Sequence, residues 1–373
     1  MKRLPAAVAA ACLLLSACAG APVVDREPDE QEIEPLLSQA RVAHVVVPEA
    51  FITAATPEEN IDSPASWRAA DGQRWLIATA KDTHRLVVYD GSDGTRLRTV
   101  GGSGDGPGRL LRPNGVAVVD DLLLVVERDN RRVQVFGLPS FAPLATFGDG
   151  ELQQPYGLWV RPAEGGYEVI VSDNYMSAHD GDVPPPLAEL DARFKRYSVV
   201  RDGDALRATF AGSFGDTTPA GAVRIAESVL GDAENERLLL AEEDVDSGTR
   251  LREYDVEGRY RGRDIGAGLF QAQAEGMALA TCDGGRGYWI ATDQFKDRSV
   301  FHVFDRRDLR HLGTFAGEKT ANTDGVWLDQ STDTRFPEGV FYAVDDDQAV
   351  AAFDWRDIAR ALRLPACREE ARR

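Results

Sequence analysis

Six times along the chain a polar residue is followed by a small one and then by an apolar run. Asp62-Ser63-Pro64-Ala65 leads into Trp67, Asn114-Gly115 into Val116–Val119, and Tyr156-Gly157 into Leu158–Val160. Glu227-Ser228 leads into Val229-Leu230, Glu275-Gly276 into Met277–Ala280, and Asp324-Gly325 into Val326–Leu328. A second run follows each start, at Trp75–Ala80, Leu122–Glu127, Tyr167–Ser172, Leu238–Glu242, Gly287–Thr292 and Gly339–Val344. A third comes next, at Arg85–Tyr89, Arg132–Phe136, Phe194–Val199, Arg250–Tyr254, Ser299–Phe304 and Ala349–Phe353. Several copies add a fourth, as at Leu144–Phe147, Ala208–Phe210 and Leu312–Phe315. The runs alternate and favour β-branched and aromatic residues, as half-buried strands do. The longest interval between starts, from Tyr156 to Glu227, holds Pro184-Pro185-Pro186 and reads as an inserted loop over Asp180–Leu190. A unit of three or four strands cannot bury both faces alone, so the copies must stack radially. The expected fold is all-β, a six-bladed β-propeller. Two stacked sandwiches would not explain a start that recurs six times. One helix is expected, at Asp354–Leu362.

In a propeller the first strand of every blade lines the axis, so equivalent positions form a ring. The residues before the six small ones are Asp62, Asn114, Tyr156, Glu227, Glu275 and Asp324. Four carboxylates at one opening repel, and they either raise one another's pKa or need a counter-charge. A hard cation with oxygen ligands is the simplest answer, and calcium suits side chains from separate blades better than magnesium. The ends of the second runs are expected to reach the same rim, and acid is again dense there, at Lys81-Asp82, Glu127-Arg128-Asp129, Asp173-Asn174, Glu242-Glu243-Asp244, Asp293 and Asp345-Asp346-Asp347; turn chemistry and solubility account for many such acids. The whole chain has 42 basic and 61 acidic residues, a net charge of −19. That excludes the phosphate-driven affinity of nucleic-acid binders and favours cations.

The N-terminus reads as an address. Met1-Lys2-Arg3 precedes an apolar run from Leu4 to Ser16 that is short for a membrane span. Leu15-Ser16-Ala17-Cys18 resembles the lipobox of bacterial lipoproteins, which implies cleavage before Cys18 and lipidation of its thiol. The expected organisation is a signal peptide over 1–17, a lipidated tether and lead-in strand over 18–56, and the propeller over 57–373. The protein is then expected in the bacterial cell envelope, in the outer membrane where the cell has two, facing periplasm or exterior. Its only membrane contact would be the lipid anchor, and a monomer is expected. Of four cysteines, Cys12 leaves with the signal and Cys18 takes lipid; Cys282 and Cys367 can pair in an oxidising exterior.

Two family resemblances follow from the motifs. Residues 101–136, with a Gly-rich lead, Pro113-Asn114-Gly115-Val116 and Asn130-Arg131-Arg132-Val133, look like an NHL repeat, covering one blade. An ordered set over nearly the whole propeller resembles the β-propeller phytases. That set is Asp62-Ser63-Pro64-Ala65-Ser66-Trp67, Leu86–Tyr89, Tyr156-Gly157, Glu227 with Ala241-Glu242-Glu243-Asp244, Glu275-Gly276 with Gly285-Arg286-Gly287-Tyr288, Thr323-Asp324-Gly325, and Phe336–Phe341. The resemblance implies calcium ligands at Asp62, Glu227, Glu243, Glu275 and Asp324, with Tyr156 beside them and Glu318 where the family has a further Asp. Departures are Ser63 and Gln273 in place of Asp. The family's phosphate-binding lysines fall near Asp82, with Lys81 one place off, and near Asn174. Arg128 matches a phosphate-binding Arg.

The activity so implied is calcium-dependent hydrolysis of phosphomonoesters, on phytate or a similar polyphosphorylated small molecule, with a water activated by metal as nucleophile. Glu227 or Glu243 would hold or activate that water, Arg128 would stabilise developing charge, and Arg128, Lys81 and Tyr156 would contact substrate. A second reading is a non-catalytic, NHL-like surface propeller that binds a protein or glycan. Lactonase-like and dehydrogenase propellers also use channel carboxylates. There is no Gly-x-Ser-x-Gly elbow, His-Glu-x-x-His or P-loop Lys in the chain.

Overall fold

The computed structural model describes residues 35–178, 183–203 and 205–367. The expected signal peptide and Cys18 lie outside these residues. Two short strands come first, β1 (Val45–Val46) and β2 (Phe51–Ile52). Blade one is β3–β6 (Ile61–Arg68, Arg74–Ala80, Arg85–Asp90, Arg96–Gly101), and blade two is β7–β10 (Pro113–Val119, Leu122–Glu127, Arg132–Gly137, Ala142–Phe147). Blade three is β11–β14 (Pro155–Ala163, Gly166–Asp173, Phe194–Asp202, Ala205–Phe214), and blade four is β15–β18 (Val229–Asp232, Arg237–Glu242, Arg250–Asp255, Tyr260–Ile265). Blade five is β19–β22 (Ala274–Cys282, Arg286–Asp293, Val300–Asp305, His311–Ala316). Blade six is β23–β25 (Val326–Asp329, Val340–Asp345, Ala349–Asp354), and α1 (Trp355–Leu362) follows it.

Each blade is an antiparallel sheet whose strands run in chain order. The first strands touch in succession, β3 to β7 to β11 to β15 to β19 to β23, and β23 returns to β3. This closed circuit makes the molecule a six-bladed β-propeller, as the recurring start implied. Blade six borrows its fourth strand from the other end of the chain: β2 pairs antiparallel with β25, Phe51 opposite Ala352. β1 adds in parallel to the outer edge of blade five, Val45 opposite Phe315. β1 falls within the lead-in strand expected before residue 57, and β2, also before it, completes blade six. Two paired residues are too few for β2 to show a pattern.

Hydrophobic clusters lie between neighbouring blades. Leu122, Leu124 and Val126 of blade two meet Leu158, Val169 and Val171 of blade three, for example. Trp327 packs against three such clusters. In α1 the Asp354 carboxylate accepts from the Arg356 N–H, the N-cap that fixes where the helix starts. Cys282, at the end of β19, is disulfide-bonded to Cys367, so the segment after α1 is tied to blade five.

Candidate metal centre at the axial mouth

A local feature of the first strands turns the six starts toward the axis. In β3, β7, β11 and β19 the register slips across Asp62-Ser63, Asn114-Gly115, Tyr156-Gly157 and Glu275-Gly276. In blades four and six the first strand begins only after the equivalent pair. A bulge frees its residues from the ladder and redirects a side chain. The small residue beside it makes room for the next blade: Gly276 N–H donates to the Asp324 carbonyl at 2.9 Å, and Gly325 N–H to the Asp62 carbonyl at 3.0 Å.

Five of the six ring residues, Asp62, Asn114, Tyr156, Glu227 and Asp324, line a cavity of about 30 Å³, large enough to admit a water molecule. Glu227, Glu243 and Glu275 each offer an oxygen, and these oxygens lie within 4.8 Å of one another. Two ligands at opposite ends of a calcium ion, at roughly 2.4 Å each, would be about that far apart. Gln273 Nε2 donates to Glu243 Oε1 at 3.4 Å. Asn114 is 1% exposed, and neither its amide oxygen nor its amide nitrogen has a hydrogen-bond partner among the described residues. A buried, unsatisfied amide facing a polar cavity is costly unless a ligand meets it.

The electrostatics point the same way. Burial, then the charges of Glu275, Asp324 and Asp62, push the Glu227 carboxyl well above the usual carboxylate range, and it hydrogen-bonds Glu275. Burial and Asp347 do the same to Asp324 against the pull of Lys81. Burial pushes Asp347 up to about 6, opposed by Lys81 and Lys296. Protonation is how crowded, buried acids relax when no cation offsets them. The donor set is all oxygen, which fits a hard divalent ion and suits calcium.

The acids at the ends of the second strands divide into two kinds. Glu127, Asp173, Glu242 and Asp293 are fully buried. Each accepts backbone N–H groups from the loop entering its own blade, such as Gln154 to Asp173 at 2.7 Å and Arg224 to Glu242 at 2.9 Å. Asp345 does the same for Ala321, at 3.0 Å. These acids organise loops. After two of these ends the next residue turns to the mouth: Glu243 joins the cluster, and Gln294 Nε2 donates to Asp324. Reading the strand ends for acids alone does not find Gln294.

Three more of the expected site residues can be placed. Lys81 was expected to meet substrate; it is 6% exposed, with Nζ 2.9 Å from Asp62 and 3.6 Å from Asp324. Its charge is used inside the ring. Glu318 is exposed in the loop after β22, where its backbone N–H donates to Glu49, and it stands outside the close cluster. Arg128 is half-buried just after β8, with Nε donating to Asp129 at 2.8 Å.

Fold and mouth together define a class: a six-bladed propeller with an acidic, oxygen-lined axial opening. No protein-family model matches the chain, and no curated protein does. Among solved structures it is similar to a calcium-binding protein, regucalcin, from Agrobacterium tumefaciens. The two share 13% identity and a TM-score of 0.50 over 83% of this chain and 95% of that one. It is also similar to hydrazine synthase from Kuenenia stuttgartiensis, with 14% identity and a TM-score of 0.45 over 88% and 83%. At such identities the likeness concerns the fold.

Proposed function

We propose that the axial mouth binds a calcium ion and that the protein is a calcium-dependent phosphomonoester hydrolase acting on phytate or a similar polyphosphorylated small molecule. The observation behind this reading is the trio Glu227, Glu243 and Glu275, with oxygens within 4.8 Å of one another beside the unsatisfied Asn114 amide. The ordered motifs shared with β-propeller phytases support it, as does the fold shared with a protein described as calcium-binding. A bound divalent ion would offset substrate charge and activate water there. Glu227 or Glu243 would hold or activate that water. Arg128 would meet charge developing on phosphate, and Tyr156 would wall the cavity. The commitment of Lys81 to Asp62 and Asp324 favours a second reading, a calcium-bound propeller without turnover that binds a protein or glycan.

Calcium titration of the purified protein is expected to raise its melting temperature, since a ligand bound only by the folded state stabilises it. Glu243→Gln is expected to abolish the rise. Phosphate release from phytate is then measured with and without calcium. Calcium binding without release would reject the hydrolase and leave the binding propeller. We also propose a lipid anchor at Cys18 in a bacterial envelope, tested by palmitate labelling that Cys18→Ala removes.

A further inference from the structure

Lys81 and Glu243 hold the same place in blades one and four. Each directly follows its blade's second strand, β4 or β16. Each backbone N–H donates to the carbonyl two residues ahead of the axial residue, Lys81 to Asn60 at 2.8 Å and Glu243 to Ile225 at 3.2 Å. Three steps apart in a closed ring of six, these blades face each other across the axis. One structural position therefore delivers an anion on one side and a cation on the other.

The cation sits where acids converge. Lys81 contacts Asp62 and Asp324, and Asp347 is held next to Asp62, its backbone carbonyl accepting from the Ile61 N–H at 2.6 Å. Oδ1 of Asp347 has no hydrogen-bond donor among the described residues. The Asn114 amide, buried and unsatisfied, lines the same cavity as Asp62 and Asp324. Three carboxylates and an amide oxygen make a ligand set for a hard divalent ion. An ammonium supplies only one charge, as a compact, strongly hydrated point.

We propose that Lys81 is a built-in cation that limits the mouth to one divalent ion, and that Asp62, Asp324 and Asp347 form a second calcium subsite filled by this side chain. The inference deepens the metal-centre reading and rests on it. It separates the mouth into a half that takes its cation from solution and a half that takes it from the chain.

Calcium stoichiometry of the purified full chain tests this, by isothermal titration calorimetry and native mass spectrometry, with folding followed by circular dichroism. The wild type is expected to bind one ion in the mouth and Lys81→Met two. Lys81→Arg is expected to keep one, and Asp62→Asn/Lys81→Met to gain none over wild type. Lys81→Met is also expected to melt lower than wild type in chelator and to recover with calcium. An unchanged stoichiometry in Lys81→Met overturns the inference and leaves a one-ion centre standing. So does a wild type that already binds two ions there, a gain in the double variant, or a Lys81→Met chain that stays unfolded at every calcium concentration. A wild type that binds no ion overturns the metal-centre reading instead. In that case a gained ion in Lys81→Met still supports the built-in cation, and no gain overturns it.

Discussion

A Cβ built on Gly276 would lie 2.4 Å from the Asp324 carbonyl oxygen, and one on Gly157 2.4 Å from the Glu227 carbonyl oxygen. No real contact is that short, so the axial residue of one blade can approach the next only where the following residue is small. This requirement made the ring readable: at four of the six starts the geometry demands glycine, at Gly115, Gly157, Gly276 and Gly325, and Ser63 and Ser228 hold the other two. Gly276→Ala is expected to destabilise the fold by about 1–3 kcal/mol, the usual cost of overpacking, seen as a lower urea midpoint. The fate of Lys81 was not readable. Its position one residue after a strand end gave the place, but an ammonium there can face a substrate outside or carboxylates inside. Only the distances to Asp62 and Asp324 decide. Asn114 was placed in the ring by its recurrence, whereas the lack of a partner for its amide is a fact of packing.

Among the strands, the inner three of each blade were legible because their apolar residues are buried on both faces. The outer ones were less so. β6 reads Arg-Leu-Arg-Thr-Val-Gly and β18 Tyr-Arg-Gly-Arg-Asp-Ile, both largely exposed, so no buried face imposes an alternation. Charge on an outer edge also discourages pairing with another chain. Contacts between blades can be tested one at a time. Asp232, at the end of β15, accepts from Arg306 of blade five at 2.6 and 2.8 Å. Burial pushes the Asp232 carboxyl up, but Arg306 and Asn235 outweigh it and hold the group below the usual range. A carboxyl whose pKa falls on folding contributes fully above its unfolded value, and the contribution is lost as pH falls through the folded one. Asp232→Asn is therefore expected to cost on the order of 2 kcal/mol at pH 7, less than a fully isolated buried charge because Arg306 keeps Glu234 at 3.0 Å. The gap to wild type should narrow once pH drops below about 4, in denaturation curves taken across pH.

For the molecule as a whole, the ring is closed by pairing its two ends, β2 against β25, and the Cys282–Cys367 bond fastens the segment beyond α1. The sixfold count was legible and the manner of closure was not, since Phe51-Ile52 matches no repeat. Removing residues through Ile52 is expected to bare the outer edges of blades five and six. The shortened chain should then elute at higher mass than the full one in size-exclusion chromatography with light scattering. The closure has a mechanical side as well. A load applied at the N-terminal end meets the contacts of Pro35, Leu37 and Ser38 with Lys296 and Asp297, and then β1 and β2, two residues each, lying along the rims of adjacent sheets. A tug there would peel this clasp before it strained the axis, so the mouth would be the last part of the protein to feel it.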